Sequence, residues 1–151
     1  FKKIYFVIAL VTVILFGCDK GIAPGEPAGP SGFSGKIIFN GTWPSGIKRT
    51  HLVVFKNEIK DTSDFFPPNL SFVSDSIPYG SSIFNFNSLT NNFLPALQFN
   101  PGSYSYVAVA QSKTENISLR RKDWFVVGIY CVNNDKAKPA ALTIHAGKIT
   151  E

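Results

Sequence analysis

Two cysteines, two histidines and a sparse set of carboxylates carry most of the reactive chemistry open to this chain. Cys18 closes the stretch Leu15-Phe16-Gly17-Cys18, where a nucleophilic sulfur stands behind a glycine small enough to let an enzyme approach the backbone. Cys131 lies in Ile129-Tyr130-Cys131-Val132-Asn133, an apolar, strand-like setting in which a buried thiol behaves as a small hydrophobe. With Cys18 modified, Cys131 has no partner in the chain, and an intermolecular disulfide is its alternative.

His51 and His145 fall on separate predicted strands, so two half-buried side chains are expected and no metal site. Asp61, Asp64 and Asp75 sit in one long loop region and Asp123 opens a strand. A glycosidase needs two carboxyls facing each other across a cleft, and this spacing offers no such pair. A Gly-x-Ser-x-Gly elbow, a phosphate-binding loop and a His-Glu-x-x-His helix are all lacking. The expectation is a protein that is not an enzyme and uses no cofactor.

The elements around Cys18 explain it better than catalysis does. Lys2 and Lys3 precede Ile4–Phe16, a run of 13 residues that is apolar apart from Thr12. A spanning helix needs roughly 20 apolar residues, so this run suits the core of a secretion signal instead. The terminal Leu-x-Gly-Cys resembles the lipobox of bacterial lipoproteins. That resemblance implies a signal peptide over residues 1–17, cleavage between Gly17 and Cys18, and a diacylglycerol on the Cys18 sulfur. It places the protein in the bacterial cell envelope, facing the periplasm or the cell surface. Its first partner is then the membrane, held through acyl chains that each contribute about 0.8 kcal/mol per buried CH₂.

Residues 18–32 follow as the lipidated cysteine and a Gly/Pro-rich tether, too poor in apolar groups to fold. At about 3.1 Å per residue the tether reaches roughly 40 Å. Residues 33–151 form one domain, and from Phe33 onward the side-chain period is two. Short strands are predicted over residues 35–40, 50–56, 71–73, 82–87, 103–111, 123–131 and 141–145, with Gly and Pro turns between them. The continuous apolar centre Leu52-Val53-Val54-Phe55 predicts burial on both faces, and residues 123–131, the longest apolar run, predict a central strand. The fold class is all-β, a sandwich of about seven strands.

The opening Ser34-Gly35-Lys36-Ile37-Ile38-Phe39, the strand Leu52–Asn57 and the turn Pro101-Gly102-Ser103-Tyr104 resemble the carboxypeptidase-regulatory-like, or transthyretin-like, sandwich. This implies Greek-key topology with a variable insert after the second strand; an immunoglobulin-like sandwich is the alternative. A closing strand is expected after Gly147-Lys148-Ile149-Thr150-Glu151, and at least an initiator residue ahead of Phe1.

With Lys2 and Lys3 in the signal, 13 of the 15 Lys and Arg face 10 Asp and Glu, a net +3. These bases are scattered apart from Arg120-Arg121-Lys122, which argues against nucleic acid as a partner. The insert over residues 57–81 carries Phe65, Phe66 and Tyr79, the candidate binding loop, with core capping as the competing role for the same rings. The expected function is a membrane-anchored, non-catalytic module that binds an envelope protein or plays a structural part there. The alternative is a carbohydrate-binding accessory domain that uses these loop aromatics on a glycan.

Overall fold

The computed structural model describes residues 29–97 and 99–151. The expected signal peptide, with Gly17 and Cys18, and most of the expected tether lie outside the described residues. Nine strands are assigned: β1 (Gly32–Ile38), β2 (Arg49–Phe55), β3 (Leu70–Val73), β4 (Ile83–Asn87), β5 (Gly102–Tyr104), β6 (Tyr106–Ser112), β7 (Trp124–Ile129), β8 (Leu142–Ile144) and β9 (Ile149–Thr150). They form a three-stranded sheet β4-β1-β9, a four-stranded sheet β3-β2-β6-β7 and the pair β5-β8. All pairings are antiparallel except β1 with β9, which is parallel.

The two larger sheets face each other in the manner of a sandwich, and the alternation of side chains shows how. Phe33 and Ile37 of β1 and Phe84 and Phe86 of β4 turn inward onto Leu52 and Val54 of β2, Phe72 of β3 and Val107 and Val109 of β6. Tyr104 and Ile144 close the same core from the β5-β8 pair. Phe72 lies at its centre, edge-on to Phe33 at 5.2 Å and tilted against Phe99 at 5.5 Å. Gly35 lets Phe86 lie across β1, since a Cβ there would come within 3.0 Å of the ring.

The intervening residues of the four-stranded sheet point the other way, and they too are covered. Val53, Phe55, Val73, Ala108, Ala110 and Trp124 form a second core, roofed by Ile59, Phe65, Leu94 and Leu97 from the loops. β2 is therefore buried along both faces, as its unbroken apolar run predicts.

Several expectations change. Strands number nine rather than about seven: the segment 103–111 breaks at Ser105, whose N–H goes to the Lys56 carbonyl at 3.1 Å, and Ile149–Thr150 adds β9. Residues 124–129 are an edge strand, paired with β6 alone, and not a central one; their second apolar face meets loops and solvent instead of a neighbouring strand. Pairing begins before Phe33, since Gly32 already pairs with β9 and the Ser31 hydroxyl accepts the Gly147 N–H at 2.9 Å. Cys131 is half-buried rather than buried, because its segment leaves the sheet for an isolated bridge to Pro139.

Replacing Phe72 with Ala is expected to destabilise the fold by about 3–5 kcal/mol in guanidinium unfolding, the usual loss for a fully packed Phe. Ile38→Ala, at an exposed β1 position, should stay within about 0.5 kcal/mol.

Candidate binding surfaces

β1 runs from Gly32 towards an aromatic pole. Beyond Ile38, Phe39 donates its N–H to the Ser82 carbonyl at 2.9 Å, and the following turn brings Trp43 to 4.7 Å from Phe39. The Trp43 indole N–H donates to the Ser81 carbonyl at 2.9 Å, which fixes the ring. Tyr79 stands against Trp43 at 5.5 Å with the planes 65° apart, and is 58% exposed. Gly80, at φ +80, makes the turn that leaves Tyr79 projecting; an L side chain there would be strained.

Phe65 and Phe66 lie elsewhere. Asp64 organises their loop by accepting the N–H groups of Lys60 and Asp61, while Asn69 donates to the carbonyls of Asp64 and Asn57 and accepts the Asn57 N–H. Phe65 is thereby pressed onto Phe55 at 6.1 Å, beneath the Arg121 guanidinium at 5.8 Å. Phe66 meets Phe65 edge-on at 85°. Both rings are half-buried on the outer face of the sheet. Ile77, two residues before Tyr79, is bonded to Thr50 at the start of β2, whereas Leu70 pairs with Phe55 at its end. Tyr79 and the phenylalanines are thus about a strand length apart, roughly 20 Å. The structure does not bring the three candidate residues into one row.

The polar residues are largely committed to structure. Asp123 accepts from the Ser118 hydroxyl and from Arg120, and the Ser118 bond foremost holds its carboxyl below the usual range. Asp61 is lowered chiefly by the Ser63 hydroxyl. Arg121 donates to the Trp124 carbonyl, so the basic triplet is fastened to β7. Among the described residues no group of three or more His, Cys, Asp or Glu is placed to hold a metal ion.

His51 departs from its expectation, being 0% exposed rather than half-buried. It lies on the outer face of β2 between Phe93 at 5.4 Å and Trp124 at 5.8 Å. Its Nδ1 contacts the Ser74 carbonyl at 2.7 Å and must carry the proton, since a carbonyl only accepts. Nε2 is buried with no partner among the described residues. Burial foremost, assisted by the Arg49 charge, pushes its pKa below the ordinary value, against the opposing pull of Ser74 and Asp75. His145 is exposed, at the end of β8.

A further concavity lies outside the candidate residues of the sequence. A cleft of about 560 Å³ lies between the sheets where β1 faces β6 and β7, walled by Phe33, Ile37, Phe86, Val107, Ile129 and Tyr130. A second hollow of about 290 Å³ shares Ile37, Val109 and Gly128 with it and ends at Trp43 and Gln111. Gly35 of β1 and Gly128 of β7, the latter beside a register shift in the β6-β7 pairing, line this cleft from opposite sheets. No protein-family model, curated protein or solved structure matches the chain.

The buried His51 gives a pH dependence of definite sign. The unfolded chain takes up a proton near pH 6.5 while the folded chain, with its lowered pKa, does not. Stability should therefore fall as pH drops through about 6.5, before carboxylates titrate near 4. Urea unfolding between pH 7.5 and 5 should show this slope in the parent chain and a flat response in His51→Gln.

Proposed function

We propose that this chain is a lipid-anchored, non-catalytic envelope module of the transthyretin-like sandwich class, which holds an aromatic pole away from the membrane for a partner to bind. The observation that carries the reading is the polarity of β1. The tether joins at Ser31 and Gly32, clamped to Gly147 and Lys148, while Trp43 and Tyr79 gather beyond the opposite end of the strand. A chain lipidated at Cys18 would present Tyr79 on the side remote from its anchor. The class assignment is supported by the order of elements: β1, then β2 with its insert, then Pro101-Gly102-Ser103-Tyr104 leading into the core strand β6.

Sugar binding is the second reading, favoured by the exposed Tyr79 ring beside Trp43. Phe65 and Phe66, edge-on and strapped to the sheet, offer no flat stacking face for it.

Cys18→Ser is expected to abolish incorporation of labelled acyl chains and move the protein from the membrane to the soluble fraction; an unchanged distribution would sink the anchoring. A photo-cross-linking residue at Tyr79 should capture a defined envelope partner in cells, and one at Lys148 beside the tether should not. Equal capture at both positions rules out the proposed polarity. Retention on a glycan surface that is lost in Tyr79→Ala would assign the pole to sugars.

A further inference from the structure

We infer that the free edge of β7 takes up an extended segment of another protein, a short β-branched apolar run with carboxylates on both flanks. β7 pairs with β6 alone, so among the described residues its other side offers unmatched backbone groups. Donors and acceptors at strand spacing are met by another extended backbone, not by a lipid or a sugar. Strand edges are commonly blunted by a charge or a proline within the strand, and Trp124–Ile129 contains neither. Its side chains are open as well: Phe125, Val126 and Val127 are exposed, and so is Tyr130 just beyond them. Phe125 pairs with Gln111 and Val126 with Ala110, neighbours on β6, so the two project to opposite faces of the sheet. An added strand meets apolar side chains on both faces, and an unbroken apolar run answers both.

Charge then selects the partner. Residues 113–138 hold six Lys and Arg against three carboxylates, a net of +3. Each of those carboxylates is already engaged: Glu115 with Lys48 at 2.9 Å, Asp123 with Arg120 at 3.0 Å and Asp135 with Lys138 at 3.3 Å. Lys113 and Lys122 near the start of β7, and Lys136 after its end, are exposed and make no ion pair among the described residues. Two copies joined through β7 by a twofold axis would run antiparallel and set the cationic start of one strand against the cationic end of the other. That arrangement repels at both ends. A segment with Asp or Glu on each flank is attracted at both ends instead.

This edge needs neither Tyr79 nor a lipid anchor, so it stands or falls apart from them. The full chain in detergent micelles is titrated with a labelled peptide, Val-Ile-Val-Ile-Val between pairs of Asp. Binding is expected to slow exchange of β7 amides at least about tenfold while β2 amides stay unchanged. The same core between pairs of Lys should bind at least about tenfold more weakly. Pro at the centre of the core, which removes an N–H, should abolish binding. Lys122→Glu combined with Lys136→Glu, both at exposed positions, should reverse the preference between the two flanks. Tyr79→Ala should leave the affinity within about twofold. Equal binding of the two peptides, binding of the Pro version, or unchanged β7 exchange overturns the inference. Loss of binding in Tyr79→Ala overturns it and moves the peptide to the aromatic pole. Protection of β7 that grows with protein concentration and without peptide overturns it in favour of a second copy. Capture by phosphatidylglycerol vesicles with no response to the peptide overturns it too, and gives the cations to a membrane surface.

Discussion

β2 is apolar on both sides, and the rest of the structure follows from having to cover it twice. From His51 to Phe55 every residue is buried, with Leu52 and Val54 facing one way and Val53 and Phe55 the other. A single opposing sheet can satisfy only one face. The β4-β1 layer closes the inner side with Phe33, Phe84 and Phe86, and among the described residues the outer side is covered by loops. Each buried Phe contributes on the order of 1.5–3 kcal/mol by removal from water, which is why the β2–β3 and β4–β5 connections are drawn across the sheet.

The strands were legible because their local patterns are unambiguous. Ile83-Phe84-Asn85-Phe86-Asn87 alternates, and it pairs in register with β1 from end to end. The unbroken run in β2 correctly announced two buried faces. The same logic failed for β7, since a continuous apolar run looks alike whether its second side meets a sheet or loops. Trp124 is buried through the indole bond to the Ser118 carbonyl, whereas Phe125, Val126 and Val127 are exposed at the edge. Only the order β3-β2-β6-β7, set by long-range pairing, decides that. His51 was misjudged for a related reason: its burial depends on Phe93 and Trp124, which arrive from distant parts of the chain.

Buried polar groups mark where this architecture is under tension. Thr50 and Gln111 face each other across β2 and β6 with Thr50 Oγ1 and Gln111 Oε1 unpartnered among the described residues, and His51 Nε2 is in the same condition one residue along. Leaving a buried acceptor unmade costs about 1–3 kcal/mol. Three such atoms at one end of the central pair, beside a hollow and below the aromatic pole, make that end the weakest part of an otherwise well-filled sheet. Among the described residues the opposite end, around Phe55, Tyr104 and Tyr106, has no such orphans; Tyr104 donates its hydroxyl proton to the Asn100 carbonyl at 2.6 Å.

The need to roof the outer face also decides which aromatics remain free for recognition. Phe65 cannot leave Phe55 and Arg121 without uncovering the second core, so the insert that looks like a binding loop is occupied as a lid. Phe66 is held to it edge-on. Tyr79 carries no such duty: beyond Ile77, whose N–H to the Thr50 carbonyl closes the strand end, the chain is already outside both cores. Its contact with Trp43 orients the ring without hiding it. A residue that the fold needs for packing is a poor one to spend on a partner, because binding would have to compete with the core. Tyr79, 58% exposed beside Trp43, meets the opposite condition, and it does so beyond the end of β1 opposite Gly32.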